Sequence, residues 1–215
     1  MKLAYGFLAA LLLASAQASA APRVNISDFA NEQLQGWERK SFEGTTQYQV
    51  AQEGNLSILK ATSRDAASGV AKRMRVDLQQ TPFLNWTWRI GNQLQGVNEQ
   101  SKSGDDYPAR LYVVVDGGLI PWNSKAVNYV WASTSARGQS WGNAFLPNNA
   151  KMIAVRGAQD KPGGWVREKR NVRADFKRLF GKDIRYIDAV AIMTDTDNSG
   201  QQASAAYADV FFSAQ

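Results

Sequence analysis

The 215-residue sequence contains no histidine and no cysteine. Nucleophilic catalysis by a Ser-His-Asp or Cys-His set is therefore excluded, and so are ordinary structural and catalytic zinc sites. No disulfide can staple the fold, so burial and hydrogen bonding must hold it. Long apolar runs are missing too. The stretch Leu3 to Ala14 is the nearest to one, and it is well short of the roughly 20 residues a spanning helix needs. Acid–base chemistry is left to Asp, Glu, Lys, Tyr and Arg, and any metal must be a hard, oxygen-bound ion such as calcium.

The short apolar run has another reading. Lys2 precedes it and Ala18-Ser19-Ala20 follows it, which is the layout of a secretory signal peptide. Residues 1–20 are thus expected to be removed. Residues 21–215 then form a single exported domain, periplasmic or extracellular, long enough to bury its own core. No cysteine stands at the cleavage point, so a lipoprotein anchor is excluded. The formal net charge is +6. Its densest cluster is Arg167, Lys169, Arg170, Arg173, Lys177 and Arg178, interrupted by Glu168 and Asp175. It reads as a solvated helix face and strand end rather than a nucleic-acid or polyanion site.

Strand signals dominate the remainder. Short runs bounded by turn residues occur at 55–61, 68–76, 83–90, 107–115 and 126–132, and again at 151–156, 165–170, 186–194 and 204–212. Leu84, Trp86, Trp88 and Ile90 alternate with Asn85, Thr87 and Arg89, the pattern of a strand with one wet face. Leu111 to Val115 is apolar on both faces and reads as a central strand. One helix is expected, capped by Asn171, with a stripe of Val172, Phe176, Leu179 and Phe180, and ended by Gly181. Many evenly spaced strands with one helix predict a mainly β fold, a β-sandwich or jelly roll of the galactose-binding-like type.

Candidate functional residues fall in three groups. Asp105 and Asp106 precede a strand that carries Arg110 and Tyr112. Neighbouring side chains in extended backbone point oppositely, so one carboxylate can face a site while the other caps a turn. Asp195-Thr196-Asp197-Asn198-Ser199-Gly200 resembles the opening of a calcium loop. Ala206 occupies the place of its final glutamate and no helix pair flanks it, so an EF-hand is excluded. An oxygen-rich calcium turn remains, as does a plain Asx turn. Asp209, in an otherwise apolar last strand, needs a partner. By analogy with the structural calcium of jelly-roll modules, it joins Asp195 and Asp197 as a metal candidate, with Asp28 opposite. Of seven tryptophans, Trp122 and Trp141 lie in Gly/Pro/Asn-rich loops and are the candidates for an exposed sugar platform. Trp86, Trp88 and Trp131 read as core.

Several blocks together resemble one bacterial family. They are Trp86-x-Trp88-Arg89, Asp105-Asp106-Tyr107-x-x-Arg110-x-Tyr112-Val113, Asn128-Tyr129-Val130-Trp131, Arg170-Asn171 with Asp175 and Phe180-Gly181, Met193 to Asn198, and Tyr207-x-Asp209-Val210. The family is a secreted group of unknown function, number 3047 in the unknown-function series. The resemblance covers nearly all of the chain after residue 20. It implies export and a single domain, and no mechanism.

Three function classes follow. The first is a non-catalytic module binding carbohydrate or another envelope ligand through Asp105, Asp106, Arg110, Tyr112, Trp122, Asn128, Trp141, Asp195, Asp197 and Asn198. The second is a structural or partner-binding protein in which those polar residues satisfy one another internally. The third is a polysaccharide-acting enzyme pairing Asp105 or Asp106 with Asp195 or Asp197. Binding is favoured over both. No organic cofactor is implied, and calcium is the one cation the sequence suits.

Overall fold

A computed structural model describes residues 21–118 and 123–215. The expected signal peptide and Trp122 lie outside these residues. Thirteen strands are described, with one α-helix: β1 (Arg23–Asn25), β2 (Trp37–Glu43), β3 (Gln47–Glu53), β4 (Leu56–Arg64), β5 (Ala67–Asp77), β6 (Phe83–Ile90), β7 (Tyr107–Val115), β8 (Lys125–Trp131), β9 (Ser140–Gly142), β10 (Ala150–Arg156), β11 (Val166–Asn171), α1 (Val172–Phe180), β12 (Tyr186–Asp195) and β13 (Gln202–Ser213). They form two sheets. One runs β11-β6-β13-β4-β3, with β1 also on β13, and the other runs β2-β5-β12-β7-β8-β10-β9. Among the described pairings, all are antiparallel except β10 with β8. The fold is a mainly β sandwich, as expected.

The core lies between the sheets, and the period-2 pattern explains it. Leu84, Trp86, Trp88 and Ile90 of β6 meet Ala109, Leu111 and Val113 of β7 and Val127, Tyr129 and Trp131 of β8, all fully buried. The aromatic rings tie the sheets together. Trp86 packs on Tyr129 with centroids 5.3 Å apart, and Trp88 on Trp131 at 5.8 Å. Such pairs stabilise beyond their buried area by about 0.5–1.5 kcal/mol each. The middle of β7 is central, between β12 and β8, as its two apolar faces require.

One expectation about β6 is corrected. Its second face is not wet: Asn85 and Thr87 are buried. β11 pairs along this strand, and Asn85 Nδ2 donates to Ser213 Oγ at 2.9 Å. The helix is as expected. Asn171 accepts from the Ala174 N–H, and Gly181 ends it in the left-handed conformation. Half of the basic cluster around it is ion-paired, Arg170 and Arg178 with Asp175 and Arg173 with Asp183.

Candidate functional site

The outer face of the seven-stranded sheet, turned away from the core, carries a cleft of about 450 Å³. Register builds its floor. Glu43 of β2 pairs with Ala67 of β5, Ala67 with Asp195 of β12, and Asp195 with Tyr107 of β7. One row of residues thus crosses four strands. Beside it, Met193 pairs with Arg110, and Tyr112 with Asn128 of β8. The ladder slips by a residue between Met193 and Asp195. Pro108, which has no N–H to give the ladder, lies opposite this bulge. The slip turns Tyr107 to the same face as Arg110, whose guanidinium lies 4.2 Å above the Tyr107 ring.

Arg110 organises the floor. Its Nη2 donates to Asp195 Oδ2 and to the Asp105 carbonyl, and its Nη1 donates to Tyr112 Oη at 3.1 Å. Tyr112 Oη in turn donates to Met193 Sδ at 3.2 Å. Asp105 Oδ2 accepts from Asn143 Nδ2 at 2.6 Å. Arg110, Asp105, Asp195 and Asn128 are each at most 4 % exposed. Yet Asp105 Oδ1, Asp195 Oδ1, Asn128 Oδ1 and Arg110 Nε have no hydrogen-bond partner. Buried polar atoms are normally paired, so four exceptions in one patch mark a floor that is incomplete by itself. Burial, opposed by Arg110 and reinforced by Asp106, Asp105 and Asp197, pushes Asp195 well above the usual carboxylate range. Burial likewise raises Asp105. Asp197, only half-buried, is raised by burial and by the nearby Asp106.

Asp105 and Asp106 divide their roles as adjacent extended residues should. Asp105 lines the cleft, while Asp106 accepts the N–H groups of Asn198 (3.1 Å) and Ser199 (2.7 Å) and so holds the 197–200 turn. Oxygens of Asp106, Asp195 and Asp197 all lie within 4.8 Å of one another. This is the one grouping with cation-ligand spacing among the described residues. It corrects the place given to Asp209, which is exposed on the other sheet, at a bulge of β13 with φ of 51°. A bulged residue escapes the apolar alternation of its strand, so its carboxylate sits in water. Asp28 bonds Asn31 instead.

The walls were not read from the sequence. Among the described residues the exposed large hydrophobic side chains are Phe42 (65 %), Phe145 (49 %) and Leu146 (60 %), and all three line this cleft. Phe42 stands on β2 at one edge of the sheet. Phe145 and Leu146 come from the β9–β10 connection at the other. Gly142 lets that connection fold back, since a Cβ there would lie 2.9 Å from Pro147 Cβ. Asn143 Oδ1 then accepts the N–H groups of Phe145 and Leu146. The signal was an apolar pair inside an otherwise Gly/Asn/Pro-rich loop. Of the expected residues, Asp105, Arg110, Tyr112, Asn128, Asp195, Asp197 and Asn198 line the cleft. Trp141 is not among its lining residues: it pairs across from Met152 and stacks on Tyr107 with centroids 6.5 Å apart.

The scaffold resembles solved sugar-related proteins. A family 11 carbohydrate-binding module of the cellulosomal cellulase Lic26A-Cel5E of Clostridium thermocellum superposes with a TM-score of 0.50 at 10 % identity, covering 90 % of this chain and 95 % of that one. A family 30 module of the Clostridium thermocellum cellulase Cel9D-Cel44B gives 0.49 at 10 % identity, covering 89 % and 96 %. The xyloglucanase domain of NopAA, a type three effector from Sinorhizobium fredii, gives 0.44 at 10 %, covering 91 % and 100 %. At this identity the first likeness is one of fold. No curated protein matches the chain in sequence. One family model does, over residues 35–211, and it is described as "Protein of unknown function (DUF3047)".

Proposed function

We infer that this chain, which belongs to the DUF3047 family, is an exported, non-catalytic module that binds glycan chains in the cleft on its seven-stranded sheet. One observation carries the reading. The exposed aromatic and aliphatic side chains flank the same cleft whose buried floor holds unpartnered polar atoms. Sugars present apolar C–H faces to rings and hydroxyls to polar groups, and this division of wall and floor suits both. That a sandwich of this kind serves as a carbohydrate-binding module in Clostridium thermocellum agrees with it.

Two alternatives fare worse on the same geometry. An internal structural network leaves no cleft and no orphaned acceptors. A glycosidase needs one carboxylate free to attack or activate water and a second free to act as the acid, whereas Asp105 Oδ2 accepts from Asn143 and Asp106 accepts the N–H groups of Asn198 and Ser199. Asp195 is also engaged by Arg110. Among the described residues, no helix is long and apolar enough to cross a membrane.

The test is affinity electrophoresis and calorimetry on a panel of soluble glycans. Phe42→Ala and Phe145→Ala should each weaken binding about tenfold, as expected for loss of a stacking ring. Trp141→Ala should leave affinity within about twofold. A panel in which no glycan is retarded, or in which only the Trp141 variant loses binding, defeats the reading.

A further inference from the structure

The charge of the cleft runs against the charge of the molecule. The whole sequence is basic, at +6, but Glu43, Asp105, Asp195 and Asp197 line the cleft with one cation, Arg110, among them, and two more, Lys40 and Lys102, lie over the wall rings of Phe42 and Phe145. Asp106 stands directly behind them. Arg110 is already committed to Asp195 and to the Asp105 backbone. The acceptors left over beneath the floor are three oxygens, those of Asp105, Asp195 and Asn128, against one donor, Arg110 Nε. Buried acceptors left unpaired draw a hydrogen-bond donor towards the cleft.

Two of the carboxylates are reachable. Glu43 is exposed and Asp197 is half-buried, and both line the cleft. A hydroxyl placed there donates one hydrogen bond and carries no charge. An ammonium brings three donors and no acceptor. The Lys40 and Lys102 ammoniums already lie 6.0 Å and 5.6 Å from the centres of the Phe42 and Phe145 rings, so a ligand ammonium is directed to the carboxylates rather than to the rings.

Resting on the glycan reading above, we propose that the cleft selects glycans bearing free amino groups, such as a deacetylated hexosamine polymer, with the ammonium held by Asp197 and Glu43 and the ring faces laid on Phe42 and Phe145. Uronate-containing chains are repelled by the same charges. Neutral chains find the walls but not the ion pair.

The experiment compares four hexameric probes on the folded protein at pH 6 and low salt: glucosamine, N-acetylglucosamine, glucose and galacturonate oligomers. The glucosamine oligomer should bind at least about tenfold more tightly than the acetylated and neutral ones, and the advantage should shrink as salt is raised. The isosteric double variant Glu43→Gln, Asp197→Asn should lose the preference for the glucosamine oligomer over the acetylated one, with an intact melting transition confirming its fold. Equal or tighter binding of the neutral or acetylated oligomers overturns the proposal and leaves the glycan reading standing. So does preference for the galacturonate oligomer, or an amine preference that survives in the double variant. No binding of any oligomer overturns both.

Discussion

At the residue scale, Asp197 shows what the site costs the fold. Burial and the neighbouring Asp106 raise its pKa, and Asp105 and Asp195 are raised as well. A carboxylate that is harder to ionise in the folded chain than in the unfolded one binds its proton more readily when folded. Its contribution therefore improves as pH falls from neutrality through the raised pKa towards the ordinary carboxylate range. Asp77 and Asp183 act the other way. Hydrogen bonds from Arg185 and Arg173 hold them below that range, and their support is lost as pH falls further. The melting temperature should thus rise on mild acidification, pass a maximum and then drop. Asp197→Asn should raise the melting temperature at neutral pH and shrink the gain on acidification. A melting temperature that only declines from neutrality downwards contradicts this account. Much of the polar floor was legible in the sequence, because Asp, Arg and Asn in strand ends are conspicuous among apolar neighbours. The hydrophobic walls were not, since a phenylalanine carries no mark that says which side of a strand or loop it will occupy.

At the scale of elements, nine of the strands and the helix followed from alternation, turn residues and caps, with bounds within a few residues. β1, β2, β3 and β9 did not. β2 (Trp37–Glu43) is mostly exposed, with charges at Glu38, Arg39, Lys40 and Glu43, so no buried face imposed a period on it. β1 and β9 are three residues each, too short to carry one. The loops were less legible still. Glu99, inside the connection between β6 and β7, is 1 % exposed and accepts the N–H groups of Ser133, Thr134 and Ser135. It nails the loop that leads to Asp105 onto the segment after β8. Tyr107 Oη also donates to its carbonyl. Removing the carboxylate strands three backbone donors, at about 1–3 kcal/mol for each buried group left unpaired. Glu99→Ala should therefore destabilise the protein by about 3 kcal/mol or more in denaturant titration. A loss under about 1 kcal/mol would show that water replaces the carboxylate there.

At the scale of the molecule, the two sheets owe their cohesion to strands that come last in the chain. β13 sits inside its sheet, bonded to β4 and β6, and takes β1 as well. β12 sits inside the other sheet, between β5 and β7. Buried hydroxyls join the two: Thr194 Oγ1 lies 2.9 Å from Tyr207 Oη, which donates to the Met193 carbonyl. A chain ending at Lys182 should therefore show no cooperative unfolding transition, rather than a weakened one. A folded truncation product resistant to protease would refute that. The order of synthesis then acquires a meaning. While the chain is still emerging, its early strands can pair as β3–β4, β2–β5, β6–β11 and β7–β8–β10–β9, but nothing joins these groups into their sheets, and neither half of the sandwich can close around its core. If the chain is exported as proposed, the delay would keep the thread pliable until its end is through and lock it only on the far side.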